Sequence, residues 1–538
     1  MRRVGLVRAR IASNVTCVLQ AASPAKSWRV LTTAHLESWP AGYSDVLDGC
    51  EAVTGSNFAS VPVRGTPILL SSNGELDELL VLYFNTCPVF TSLDTSSRYA
   101  YALEIAQWCG FLGRQDPPAI WLEATEDDFI DYKMCRTDRI RFPDAVSGAT
   151  WNKAVYALRG LYDWAIRRSV PIAPNGPVIQ SSPVPGGSGI LRVAGSRANA
   201  AFVRTDRDRW IVPGTYRLWR DVGLRGHTVE RIEERHWRAG GEDPSFRVRN
   251  SMRNSAFADF LYSTGLRVRE AGALLLPELP PEASIEAKLP AAIAKYSKAR
   301  MWYGAPTAMR TVRTYMKVAR AAAVRRAIRE GRYDAIDDII WITEVRRAKR
   351  GALEAVRDDG VIQVLNDTKP DVRRRLFWMR GGRPEPMALW LGESGMPFNH
   401  ESWNDAFDAA NDRLWAEIEA TGGLPDDELT VTPHSLRFSF ALALVVQLHQ
   451  RLDMAHGWDE TVPYGDGTRY EEAFRIVKDV LGHRSVEFTK SVYLPRVQRL
   501  RFDRLFGTPG VESTSTSELI AVLARDLVEV RDLTGAPG

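Results

Sequence analysis

The chain has 538 residues, 45% of them apolar and 25% charged, with a formal net charge of +4. That length exceeds the roughly 250–300 residues at which one hydrophobic core stops growing, so about two or three domains are expected, while no apolar run approaches the roughly 20 residues needed to cross a bilayer. The small net charge neither requires nor excludes nucleic acid, and the local distribution of charge has to decide.

The five cysteines, Cys17, Cys50, Cys87, Cys109 and Cys135, crowd toward the N-terminal end without a CxxC pair or metal-ligand spacing. That usage suits a reducing cytoplasm and argues against a zinc finger or a disulfide scaffold. Before Glu37 the chain carries Arg2, Arg3, Arg8, Arg10, Lys26 and Arg29 and no acid. A loosely ordered basic extension over residues 1–65 is the first expectation, with a transit peptide or a DNA-touching arm as alternatives.

From residue 66 to 177 the pattern is helical. The stretch Glu75–Phe84 opens with acids, which suit the positive end of a helix dipole, and runs on into apolar residues. Tyr99, Leu103, Ile105, Trp108 and Phe111 then recur at helical spacing, as do Trp151, Val155, Leu158, Leu161, Tyr162 and Trp164. These aromatics are expected to be core, which makes the region a compact helical domain. Pro, Gly and Ser concentrate between Pro171 and Ser196 and break both helix and strand, so residues 178–224 are expected to form a linker and lead-in.

The region from 225 to 505 holds the residues that can do chemistry. Between Glu286 and Glu330 lie eleven Lys or Arg residues, among them Lys298, Arg300, Arg310 and Arg313, without one acid. A solvated helix face normally mixes signs, whereas a one-signed run interleaved with Trp302, Tyr303 and Tyr315 suits a polyphosphate partner; a merely basic surface is the plainer alternative.

Four separated segments supply polar groups. In Tyr262–Glu270 (YSTGLRVRE), Gly265 permits a tight turn and Arg267 stands at the start of an apolar helical run over Ala271–Leu276. An arginine at a helix start gains nothing from the dipole and needs an anion or a carboxylate, with Glu270 as the structural candidate. Ala294–Arg300 (AKYSKAR) reads as the tip of a hairpin with two lysines, Lys295 and Lys298. In Thr432–Phe440 (TPHSLRFSF), Pro433 fits a helix start and His434 and Arg437 are spaced to share a face. In Leu481–Tyr493 (LGHRSVEFTKSVY), His483 sits at a helix-to-helix turn and Tyr493 follows ten positions on. Two arginines, two histidines, a lysine and a tyrosine without a carboxylate cluster do not match a two-metal phosphoryl-transfer site. They suit attack by tyrosine on a phosphodiester whose oxygens the arginines hold.

Taken together, these boxes resemble the tyrosine recombinases of the phage integrase family. TGLRVRE resembles the first arginine box (Arg267, with Glu270 supporting), AKYSKAR the lysine hairpin (Lys295 in preference to Lys298), HSLR the HxLR box (His434, Arg437) and LGHRS the LGH box (His483), with Tyr493 as the nucleophile. Tyr493 lies one residue farther from His483 than is usual in the family, and residues 334–382 look like an insertion.

The resemblance implies a mainly α fold with a small β-sheet in the catalytic domain (α+β), and a helical core-binding domain that clamps DNA together with it. It implies strand cleavage through a 3′-phosphotyrosyl link without cofactor, metal or ATP, double-stranded DNA as partner, a homotetramer assembled on DNA, a cytoplasmic location and a place on a mobile element. Lys298, Arg300, Arg310 and Arg313 are the expected DNA contacts. Residues 506–538 form a tail with a capped amphipathic helix, expected to dock on a neighbouring subunit. The alternatives are a type IB topoisomerase-like enzyme, a catalytically silent DNA-binding protein, and a metal-dependent nuclease using His434 and His483.

Overall fold

A computed structural model of the chain describes residues 28–33, 65–71, 73–138, 141–142, 145–174, 176–177, 210–233, 236–248, 250–336, 338–348, 352–400, 402–423, 430–456 and 470–494. They fall into two units, Met1–Arg204 and Thr205–Gly538. The fold is α+β. Among the described residues no helix is long and apolar enough to cross a membrane.

In the first unit, strand β1 (Arg29–Thr32) pairs antiparallel with β2 (Pro67–Leu70), so four residues of the expected loose extension are strand. Four longer helices follow, each started by a side chain that accepts from the orphan backbone N–H groups of the first turn. Asp77 caps Glu78–Thr86, Asp94 caps Thr95–Leu112, Thr125 caps Glu126–Thr137 and Ser147 caps Gly148–Arg167. The first begins three residues later than its acids suggest, because Leu76 is held in a β-bridge to Leu70. Trp108, Trp151, Tyr162 and Trp164 share one buried cluster. Tyr99 and Leu103 do not: they are 39% and 37% exposed, on the outer face of their helix.

The second unit is built on the helix Ser251–Thr264, whose residues from Arg253 to Leu261 are all buried. It packs against the helices Pro306–Tyr315 and Pro433–His456. Phe257 stacks on Trp403 at 3.5 Å and meets the Trp390 ring edge-on at 5.1 Å. Ahead of it stand the helix Pro213–Trp219, a π-turn Arg220–Leu224, and the hairpin of β3 (His227–Glu233) and β4 (His236–Glu242). The short helix Val268–Gly272 stops well before Leu276, contrary to the sequence expectation. There Leu275 bridges to Ala388 and Leu276–Glu278 make one 3-10 turn, so the apolar side chains serve a sheet edge instead of a helix face.

Strands β5 (Glu286–Leu289) and β6 (Arg300–Tyr303) form an antiparallel hairpin. The stretch 334–382, expected as an insertion, contributes four strands of a five-stranded sheet, β7 (Ile340–Arg347), β8 (Leu353–Arg357), β9 (Ile362–Val364) and β10 (Leu376–Arg380), and β11 (Arg383–Pro386) just beyond it completes the order β11-β10-β7-β8-β9. Only the β7–β10 pair is parallel. Its small core is formed around Ile342, Ala355, Leu365, Leu376 and Trp378. The helices Ser402–Ala420, Pro433–His456, Glu471–Leu481 and 486–494 complete the unit. Of the linker and lead-in expected over 178–224, residues 178–209 lie outside the described residues and residues 213–224 are helical instead; the tail 506–538 also lies outside the described residues.

Candidate active site

Gly265 ends its helix with φ +62°, a left-handed conformation that glycine adopts without Cβ strain. That turn delivers Arg267 to the N-cap of the next helix, where the dipole offers it nothing. The carboxylate it needs is Glu270, 1% exposed, which accepts from Arg267 Nη1 at 3.0 Å and from the Arg267 main-chain N–H at 2.9 Å.

Arg300 clamps the same carboxylate from β6, with Nη1 on Oε1 at 3.1 Å and Nη2 on Oε2 at 2.5 Å, while its Nε donates to the Val480 carbonyl at 3.0 Å. Burial alone pushes the Glu270 carboxyl up; hydrogen bonding and charge from Arg300, with the Arg267 charge behind them, outweigh it and hold the group at about 2. Arg300 is therefore not the surface DNA contact expected from the basic run. Its side chain is 7% exposed and neutralises Glu270. Arg320 of the same run is also internal, paired with Glu385 at 2.6 Å.

Arg437 stands on the helix Pro433–His456 and is 5% exposed. It donates through Nη1 to the carbonyl of Gly265 and through Nη2 to that of Leu481 at 2.7 Å, so one guanidinium ties the first arginine box to the LGH turn. Burial and the neighbouring Arg267 charge lower its pKa to about 9. His434 stands exposed on the first turn of the helix.

Gly482 ends Glu471–Leu481 with φ +67° and turns the chain into His483. The imidazole Nδ1 lies 3.0 Å from Thr489 Oγ1. That hydroxyl donates to the Ser485 carbonyl at 3.2 Å, which leaves its lone pair to accept Nδ1–H. Burial, then the charges of Arg437, Arg267 and Arg300, hold the His483 pKa down at about 3, so the ring is neutral at physiological pH.

Tyr493, 4% exposed, lies in residues 486–494 with its ring parallel to His483 at 6.3 Å and tilted against Phe438 at 5.3 Å. Its hydroxyl lies within electrostatic reach of Arg437. The helix 486–494 turns this tyrosine to the histidine.

Lys295 sits on the loop between β5 and β6. Its main-chain N–H donates to Glu270 Oε1 at 3.2 Å, and its exposed ammonium lies 5.1 Å from the Tyr296 ring. Lys298 and Arg310 are exposed; Arg313 is half-buried and donates to the carbonyls of Pro280 and Pro281 at 3.1 Å.

The structure thus gathers Arg267, Glu270, Arg437, His483 and Tyr493, brings in Lys295 through its main-chain N–H, and adds Arg300 and Thr489, to which the sequence reading gave no such role; His434, expected on one face with Arg437, is exposed where Arg437 is buried. The strand alternation could have placed Arg300: it shares the face of fully buried Trp302, while Met301 and Tyr303 point outward. Thr489 sits six positions after His483 and carries no comparable signal.

No family model matches the chain, and no curated protein matches it. Among solved structures it is similar to the Tn1549 transposon integrase in complex with transposon right-end DNA, at 12% identity over 80% of this chain and 99% of that one, with a TM-score of 0.42. It is also similar to the XerH site-specific recombinase bound to palindromic difH substrate in a post-cleavage complex (12% identity, 81% of each chain, TM-score 0.37) and to the XerA recombinase (12% identity, 78% of this chain and 95% of that one, TM-score 0.25).

Proposed function

We propose that this protein is a tyrosine-type site-specific DNA recombinase, acting on double-stranded DNA as a homotetramer assembled on its site, in the cytoplasm. The observation that carries the proposal is the convergence of Arg267 and Arg437 on a neutral His483 whose ring lies parallel to Tyr493. Such a site offers cationic donors for the non-bridging oxygens of one phosphodiester and a phenol beside them.

In the proposed reaction Tyr493 Oη attacks the scissile phosphorus. The P–Oη bond forms, the P–O5′ bond breaks, and the 5′ oxygen leaves with a proton supplied by Lys295. His434 takes the phenolic proton, Arg267 and Arg437 hold the phosphoryl oxygens, and His483, whose neutral ring spends its one N–H on Thr489, lies beside the phenol. A 5′-hydroxyl from a second strand then attacks the 3′-phosphotyrosine and regenerates the tyrosine. One phosphodiester-type bond replaces another at each step, so no nucleotide hydrolysis is required. Glu270 keeps Arg267 in place and takes no part in proton transfer at neutral pH.

The test is to incubate the purified protein with a pool of duplex DNA, denature, and isolate protein-linked strands. The wild type is expected to retain DNA through Tyr493, mapping one cleavage site, and Tyr493→Phe to bind the mapped duplex with unchanged affinity but form no adduct. An adduct formed by Tyr493→Phe overturns the assignment of the nucleophile, and no adduct from the wild type overturns the recombinase proposal. Exchange of strands between two mapped duplexes, against relaxation of a supercoil alone, separates recombination from a topoisomerase-like activity.

A further inference from the structure

The loop 290–299 that carries Lys295 is held from three sides. Glu270 receives the Lys295 main-chain N–H, as described above. From the LGH turn, the Arg484 guanidinium lies 4.2 Å from the Tyr296 ring, the same ring that receives the Lys295 ammonium. From the inserted sheet comes Asn366, whose Oδ1 accepts from Ala291 N–H at 3.1 Å and whose main-chain carbonyl accepts from Ala292 N–H at 3.0 Å.

Asn366 is itself rigidly mounted. It lies in the 3-10 turn Leu365–Asp367, and its Nδ2 donates to Asp367 Oδ1 at 3.0 Å. Leu365 is fully buried, and its carbonyl accepts from Arg373 Nη2 at 2.5 Å. Arg373 also donates from Nε to the Thr368 carbonyl at 2.9 Å and forms a bidentate pair with Glu278 at 2.7 and 2.8 Å, both side chains being 1% exposed. Glu278 follows the Arg267 helix by one turn of chain and accepts from Leu275 N–H at 2.9 Å. The inserted sheet is therefore fastened by a buried ion pair to the 3-10 turn that follows the Arg267 helix, and reaches from there to the lysine loop.

The loop needs such fastening. Tyr296 and Ser297 have φ of +63° and +51°, left-handed values at two consecutive residues that carry a Cβ. Residues in that region persist only where their surroundings over-determine them.

We propose that the inserted sheet braces the lysine loop and that Asn366 is a positioning residue for Lys295, setting the ammonium where it protonates the leaving 5′ oxygen. This inference rests on the recombinase reaction proposed above. Loss of the Asn366 side chain frees Ala291 N–H, loosens the loop and misplaces the acid.

The test compares Asn366→Ala, Asn366→Asp, Lys295→Ala and Arg437→Ala on the mapped duplex and on the same duplex with sulfur replacing the bridging 5′ oxygen. A thiolate leaves without a proton, so cleavage of the sulfur duplex bypasses the acid. Asn366→Ala is expected to cleave the oxygen duplex on the order of 10- to 100-fold more slowly, the range for a displaced general acid, and the sulfur duplex at the wild-type rate. Lys295→Ala shows the same pattern, Arg437→Ala slows both duplexes, and Asn366→Asp, which keeps the acceptor oxygen, regains most of the rate. Unchanged duplex affinity and urea midpoint establish that the Asn366 variants are folded.

Asn366→Ala within about twofold of wild type on the oxygen duplex, or equally slow on both duplexes, overturns the inference while leaving the recombinase proposal standing. A wild type that cleaves neither duplex removes the recombinase proposal, and this inference falls with it.

Discussion

Replacing Glu270 by Gln keeps the shape of the side chain and removes the charge shared by Arg267 and Arg300. Three main-chain or side-chain donors besides the Arg300 fork converge on that carboxylate, and its pKa is held at about 2 against an ordinary 4.5. At ~1.4 kcal/mol for each pKa unit, the folded state favours the charged form by about 3 kcal/mol. Removing one member of a buried ion pair costs about 3–5 kcal/mol, because the remaining charge is left uncompensated. Here two guanidinium groups would face Arg437 without a counter-charge.

The expected loss for Glu270→Gln at neutral pH is therefore about 3–5 kcal/mol in the second unit. Urea unfolding followed by hydrogen exchange in peptides spanning residues 257–276 reads this unit separately from the other. The folded pKa lies below the unfolded one, so the contribution is complete above about 4.5 and disappears as pH falls through about 2. The gap between wild type and variant should narrow over that window. A loss below about 1 kcal/mol, or a gap that stays constant in acid, would refute the assignment of Glu270 as a buried counter-ion to both arginines.

The His483 pKa is also depressed, to about 3 from 6.5, but here the neutral form is favoured, so the unfolded chain binds the extra proton and stability rises with pH between those values. His483→Gln should flatten the stability slope between about pH 5.5 and 6.5, above the range in which Glu270 titrates in either state; an unchanged slope in urea midpoints would count against a neutral ring. Gly265→Ala puts a methyl into the Phe440 ring at a positive φ. It should destabilise the unit by about 2–4 kcal/mol and shift the Arg267 turn, seen as a lowered urea midpoint and slower adduct formation. Arg437→Ala should cut adduct formation by at least ~10²-fold, as loss of a preorganised cationic donor does, and release the carbonyls of Gly265 and Leu481. A rate within tenfold of wild type would remove Arg437 from the phosphate site.

What the sequence alone determined about this protein is what short-range chemistry controls. Helices were legible where aromatic and aliphatic residues recur at helical spacing, as over Thr95–Leu112 and Gly148–Arg167. The boxes around Arg267, Lys295, Arg437, His483 and Tyr493 were legible because each is a contiguous pattern of residue types and turns. Gly265 and Gly482 mark two of those turns, and both adopt the positive φ for which glycine is suited.

Only the tertiary structure decided which charges meet. The run from Lys288 to Arg329 looks uniformly cationic because the acids that neutralise Arg300 and Arg320 lie elsewhere in the chain, at Glu270 and Glu385. Burial reverses the meaning of those arginines, from surface contacts to internal clamps. The contact of the 334–382 stretch with the lysine loop was equally invisible, since Asn366 meets Ala291 across 75 positions of chain. A hydrogen bond between partners that distant leaves no local pattern, and only the folded path of the backbone brings its donor to its acceptor.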